Sequence, residues 1–326
     1  MTPPLTLPAL DGRYALGFLT ALGTLRLLTT RAIPATLAWD SDTYRAVLTA
    51  PGHATIDDLV TTLTTLVTGI GSDAALPDTD PGFPPPSRTG RDPLRVPATE
   101  LAAAARGWSR LRGAEQWFPA FVTDLVDDPT APTMINPYVA PSGQQKFRTL
   151  FEKSLNLVRA DPKTLLRQAF TGWIRVPGCT GEYFDHRVLY SAADAPDGTS
   201  RERGVPGATW LAVMALPALP VYSDGAHRTS PGWHRLPQTR RGKTTWRPIL
   251  TWPLWHQPLD IDAVTVLLNH PALTPTRNNN DTLTIPTAPA HALGVFTVRA
   301  AVRRKIPGRT FDGVLAPHGD DGIPLT

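Results

Sequence analysis

Ser142-Gly-Gln-Gln-Lys-Phe-Arg-Thr-Leu-Phe-Glu-Lys-Ser-Leu-Asn-Leu-Val-Arg-Ala160 is the stretch whose reading decides the fold. Its apolar residues Phe147, Leu150, Phe151, Leu155 and Val158 recur at helical spacing and predict one buried stripe. Ser142 stands in N-cap position, with Gln145 three residues on, the arrangement of a capping box. Lys146, Arg148, Lys153 and Arg159 fall around the polar part of this helix. Asp161-Pro162 ends it and starts a second helix with proline at the first helical position.

This stretch also divides the charge. Residues 1–139 hold ten basic and fourteen acidic side chains, and residues 140–326 hold 22 basic and 14 acidic. A net charge of +4 with a basic C-terminal half points to an anionic partner, with a merely solubilising surface as the alternative. The chain has 326 residues, 41% hydrophobic, enough for a sizeable core. Its 35 prolines predict many loops and short elements. The single cysteine, Cys179, excludes a disulfide framework and a cysteine zinc site. No charged and apolar leader opens the sequence, and no apolar run reaches membrane-spanning length. These features predict a soluble, cytoplasmic protein with no membrane partner.

Outward from the central stretch, the pattern predicts an α+β chain of mixed helices and short antiparallel hairpins in two lobes. Residues 1–70 form a helix and hairpin lobe, 71–97 a Pro-rich loop or linker, and 98–326 a helical and then basic α+β lobe. Residues 7–12 read as a loop and 14–28 as a buried helix with small residues for close packing. Strands are expected over 35–39 and 43–48, and helices over 57–67, 98–106 and 115–126. Trp108 and Trp117 are the expected core anchors between the last two. Further on, short strands are expected over 173–177 and 188–191, and helices over 205–216 and 260–269. Residues 231–236 and 245–251 pair as a hairpin, 278–281 make a turn, and 293–304 read as a closing strand or short helix.

The basic half carries the chemistry. Residues 225–259 contain no Asp or Glu but hold Arg228, Arg235, Arg240, Arg241, Lys243 and Arg247. Trp233, Trp246, Trp252 and Trp255 are interleaved with them. Guanidinium groups suit phosphate oxygens, and ring faces suit unstacked bases. A second acid-free run, 282–311, holds Arg299, Arg303, Arg304, Lys305 and Arg309. The other reading is a solvated basic face over core tryptophans, and Trp252 and Trp255 are assigned to the core. Against this, signs of an enzyme are missing. The eight histidines are scattered with no His-Glu-x-x-His pattern, and no phosphate-cradling Gly-x-x-x-x-Gly-Lys loop or nucleophile elbow occurs. Cys179 has no identifiable base beside it and reads as structural. No cofactor or metal is called for. Glu182, Asp185, His186 and His227 are the residues a hydrolase or nuclease would have to bring together in three dimensions.

Five stretches follow one another along the chain. They are Leu10-Asp-Gly-Arg-Tyr-Ala-Leu-Gly-Phe-Leu-Thr-Ala-Leu-Gly-Thr-Leu-Arg-Leu-Leu, Ala140-Pro-Ser-Gly-Gln-Gln-Lys-Phe, Tyr183-Phe-Asp-His-Arg, Gly207-Ala-Thr-Trp-Leu-Ala-Val-Met-Ala-Leu-Pro-Ala-Leu-Pro-Val and Thr251-Trp-Pro-Leu-Trp. In that order they resemble subunits encoded with type I-G (formerly I-U) CRISPR systems, similar to the large subunit of the RNA-guided effector complex. Thr209-Trp210 stands where the family pattern has Asn-Arg. The chain is also short for a large subunit, which points to a reduced or accessory form. The resemblance implies binding of guide RNA, target DNA and sibling effector subunits in antiviral defence, without hydrolysis. Gln144, Gln145 and Lys146 are then expected to donate to phosphate at a helix N-terminus, with simple capping as the alternative for the glutamines. Arg201 and Arg203, on a loop, are expected to enter a groove or to stay solvated. The basic half would face nucleic acid and the acidic half other protein subunits, or the whole chain would serve only as a structural subunit.

Overall fold

The computed structural model describes residues 2–87, 92–139, 146–188, 202–240, 243–278, 282–305, 312–319 and 322–326. The architecture is α+β. The longer elements, in chain order, are β1 (Leu5–Asp11), α1 (Ala15–Thr30), β2 (Thr36–Trp39), β3 (Arg45–Thr49), α2 (Ile56–Gly69), α3 (Ala98–Trp108), α4 (Phe147–Ala160), α5 (Pro162–Thr171), α6 (Pro206–Val213), β4 (Trp233–Arg240), β5 (Lys243–Trp255), α7 (Ile261–Leu268), β6 (Val295–Lys305) and β7 (Asp312–Pro317). Two antiparallel sheets result, one in the order β1-β3-β2 and one in the order β4-β5-β6-β7.

Helix α1 is the hub. Every residue from Ala15 to Leu28 is buried, as is all of α6. Helices apolar on all sides must be surrounded, and small residues set how closely neighbours approach. A Cβ on Gly23 would lie 1.8 Å from the Leu211 carbonyl oxygen, and one on Gly207 would lie 2.1 Å from that of Leu165. Thr20 Oγ1 donates to the Ala208 carbonyl across the same seam. Arg26, buried in α1, donates to the Met214 carbonyl and lies over the Trp117 ring. Burial pulls its pKa down to about 10.

The central stretch folds as its periodicity predicts. Phe147, Leu150, Phe151, Leu155 and Val158 are the buried apolar positions of α4. Asp161 caps α5 by accepting from the Thr164 N–H, with Pro162 at the start. Ser142, the expected cap, lies outside the described residues, and the helix instead starts at Phe147 with Lys146 extended in the N-cap position. Asp92, from a distant loop, accepts from the Phe147 N–H at 2.6 Å and so serves one orphan donor of the helix start. Two arginines of the polar face hold the Pro-rich stretch. Arg148 donates to the carbonyls of Asp73, Pro81 and Pro84, and Arg159 to those of Ile70, Gly71 and Ala74. Phe83 and Leu94 of that stretch are buried in the common core.

Several boundaries differ from the sequence reading. Residues 5–11, expected to be mostly loop, form β1, where Pro8 is tolerated because the strand is at an edge and its register shifts between Leu7 and Asp11. The helix expected over 115–126 is one turn, Ala114–Trp117, followed by the 3-10 turn Phe118–Ala120 and the strand Val122–Thr123. Pro119 lacks the donor that a longer helix needs there. Only Val176–Pro177 of 173–177 is strand, and Val188 closes a 3-10 turn, with 189–191 outside the described residues. The stretch read as a closing strand or short helix is β6, an inner strand, and β7 was not foreseen.

The two sheets are fastened to each other. Leu37 and Leu259 exchange backbone hydrogen bonds of 2.8 and 3.0 Å. Trp255 Nε1 donates to the Leu37 carbonyl, and Trp252 Nε1 to that of Gly12. One hydrophobic cluster runs from Leu7 to Ile323. Among the described residues, no helix is long and apolar enough to cross a membrane.

Candidate nucleic-acid interface

Strands β4 and β5 form the basic hairpin, with Trp233 opposite Leu250 at one end and Arg240 opposite Lys243 at the other. Its inner part, from Ile249 to Trp255, is wholly buried, while Thr244 and the run Trp246–Pro248 are exposed. The outer part of β5, up to Pro248, therefore lies largely at the surface. Trp252 and Trp255 are core residues, and Trp233 is buried too. Of the four tryptophans only Trp246 is exposed, at 57%.

Side chains alternate across a strand, so the arginines divide between the two faces. Arg235 pairs with Pro248, and its neighbour Leu236 pairs with Arg247. Arg235 and Arg247 thus face opposite sides. Arg235 joins Arg228 and Arg303 in lining a cavity of about 470 Å³. His227 and His234 add polar groups, and Met134, Pro137, Trp233 and Pro248 supply apolar wall. Among the described residues, no carboxylate lines it. Arg247 lines a second cavity of about 320 Å³, with Gln238, Arg277 and His318.

Three arginines that the sequence places up to 75 positions apart are thus brought together, but their situations differ. Arg303 is a structural staple. It donates to the carbonyls of Gly313, Pro137 and Tyr138 at 2.8 to 3.1 Å, and its guanidinium lies over the Trp233 ring. These acceptors take up much of its donor fork. Arg228 is partly buried and donates to the Ile135 carbonyl. Its pKa is lowered by burial first and by the nearby Arg95 second. A partly buried cation near another cation, with no carboxylate among the described lining residues, gains from an arriving anion. Trp233 Nε1 is buried and has no hydrogen-bond partner among the described residues. His234 is pushed down to about 4 by burial, so it is neutral at pH 7, and its Nε2 meets Thr251 Oγ1 at 3.0 Å.

The remaining expected contacts are dispersed. Gln144, Gln145, Arg201 and Arg241 lie outside the described residues, as do the side chains of Arg240, Lys243 and Lys305. Lys146 is half-buried just before α4, and Arg203 is half-buried in the short strand Arg203–Gly204. Arg304 is exposed and close enough to lower the pKa of His186. His227 and His234 were not foreseen as part of a binding cavity, nor Arg95 as a neighbour of Arg228, since only the fold brings them together.

Of the residues weighed for hydrolysis, Asp185 and His186 meet at 3.7 Å, while His227 lies in the hairpin cavity. Asp185 is buried, pairs with Arg175 and accepts from the Arg187 backbone N–H. His227 belongs to the hairpin cavity, where Asp224 stands 3.5 Å away. Cys179 is buried, and burial pushes its thiol pKa up, away from the thiolate form. Among the described residues, no three His, Cys, Asp or Glu side chains group as metal ligands. Compared with models of protein families and with curated proteins, the chain finds no match.

Proposed function

We infer that the chain is a non-catalytic nucleic-acid-binding subunit of an RNA-guided CRISPR type I effector complex, holding target DNA or guide RNA by its backbone. The supporting observation is Arg228. It is a partly buried cation near Arg95, joined by Arg235 in a cavity with no lining carboxylate among the described residues. A backbone phosphate supplies the counter-charge, and the exposed Trp246 offers a ring face to a base. Membership of an RNA-guided complex rests on the five stretches quoted above. In such complexes the guide reads sequence by pairing, and the protein holds backbones.

The test is binding of the purified chain to labelled duplex DNA, single-stranded DNA and guide RNA across a salt series. Affinity that falls steeply with salt supports phosphate contact. A folded chain that binds none of them at low salt, yet co-purifies with sibling subunits, makes it a purely structural subunit whose cavity receives an acidic protein side chain.

A further inference from the structure

A second surface carries the same chemistry away from the cavity. It is built where the turn before α1 meets the 3-10 turn His186–Val188 and the β2–β3 hairpin. The Arg187 guanidinium lies 4.3 Å from the centre of the Tyr14 ring, and His186 packs against the same ring at 5.9 Å. One residue before Tyr14, Arg13 lies over Tyr44 at 5.3 Å, and Tyr44 in turn meets Phe296 at 6.1 Å. The Gly12 N–H donates to the Tyr44 carbonyl, which fixes the two groups side by side.

These side chains reach water. Arg187 is 46% exposed, Arg13 40% and His186 30%. The local charge is positive. Asp11 serves Arg13 and Arg45, and Asp185 serves Arg175 and stands 3.6 Å from Arg187. Arg304 adds a further cation facing His186. Among the described residues, the ion pairs of this surface thus set two carboxylates, Asp11 and Asp185, among five arginines. Alternating guanidinium planes and rings, half-exposed and net cationic, fit unpaired bases with their phosphates alongside. A duplex, whose bases are stacked inside, cannot use the ring and guanidinium faces.

We propose that the Tyr14–Arg187 surface binds single-stranded nucleic acid by stacking a base on the Arg187 guanidinium, with Arg13 and Arg304 beside the backbone. The surface is separate from the Arg228 cavity and does not depend on the role assigned to it.

The experiment measures binding of a labelled 15-nucleotide oligothymidylate and of a 15-base-pair duplex to wild type, Arg187→Ala and Arg187→Lys. Arg187→Lys keeps the charge and the ion pair with Asp185 but loses the planar face. Expected is about tenfold weaker single-strand binding for both variants, the order set by loss of one stacked base, with duplex binding unchanged and melting temperatures near wild type. Three results overturn the proposal. They are wild type that does not bind the single strand, single-strand affinity unchanged in both variants, or full recovery in Arg187→Lys, which would reduce the contact to charge alone. Should Arg187→Ala prove unfolded, the lysine variant by itself decides between the first set of results and the second.

Discussion

Trp252 Nε1 donates a 2.7 Å hydrogen bond to the carbonyl of Gly12, 240 residues earlier in the chain. Both residues are buried, and the bond ties the sheet that carries the cationic cavity to the turn that carries Tyr14. The two candidate surfaces therefore share one support. Trp252→Phe keeps most of the ring but leaves the Gly12 carbonyl without its donor. The expected cost is ~1–3 kcal/mol of folding stability, read by urea denaturation. Stability equal to wild type would mean that the bond contributes nothing net.

Gly23 sets the approach of α1 to α6. The 1.8 Å contact its Cβ would make is with backbone, which cannot swing aside. Gly23→Ala is expected to lose about 3 kcal/mol or more, although alanine is the better helix former. A variant as stable as wild type in thermal unfolding would show that the two helices can part at no cost.

Acid should weaken the fold through His234. Its pKa is held near 4 by burial, below the ordinary value near 6.5. Above pH 6.5 the neutral ring is the normal form in both folded and unfolded chains, and nothing is lost. As pH falls from 6.5 to 4 the unfolded chain takes up a proton that the folded one refuses. Stability then drops by up to roughly 3 kcal/mol. His186 and His318 are shifted in the same direction, burial being the leading cause for each. His234→Asn is expected to flatten the slope of stability against pH over this window. An unchanged slope would place the proton uptake elsewhere.

Arg159 holds the carbonyls of Ile70, Gly71 and Ala74, and Arg148 those of the prolines beyond. Arg159→Ala is expected to speed limited proteolysis within residues 70–87 several-fold while leaving cleavage elsewhere unchanged, since local opening governs such cuts. Equal cleavage rates would mean that the buried Phe83 alone secures the stretch.

The α4 stripe from Phe147 to Val158 was legible because helix periodicity survives any tertiary context. The hairpin was legible because two apolar runs flank a polar, glycine-containing turn. The strand over Leu5–Asp11 was not, because Pro8 argues against a ladder unless the strand lies at an edge. The helix expected through Val126 failed at Pro119, whose position in the first turn looked permissible from sequence alone. The candidate cavity was half legible. Acid-free composition named Arg228, Arg235 and Arg303, but it could not tell that Arg303 binds carbonyls while Arg228 has no acidic partner among the described residues. Arg95 and His234 join them only through the fold, and no local spacing encodes that. The Tyr14–Arg187 pairing had no local signal either, since its residues stand 173 positions apart and only the fold brings them together.

The most direct measurement is the salt dependence of duplex DNA affinity for wild type and for Arg235→Ala, a half-buried cavity residue that holds no carbonyl in the described structure. Loss of one phosphate contact is expected to lower affinity at every salt concentration and to make the slope of log K against log salt shallower by about 0.9. A variant with the affinity and slope of wild type, folded to the same melting temperature, would contradict phosphate binding at the cavity.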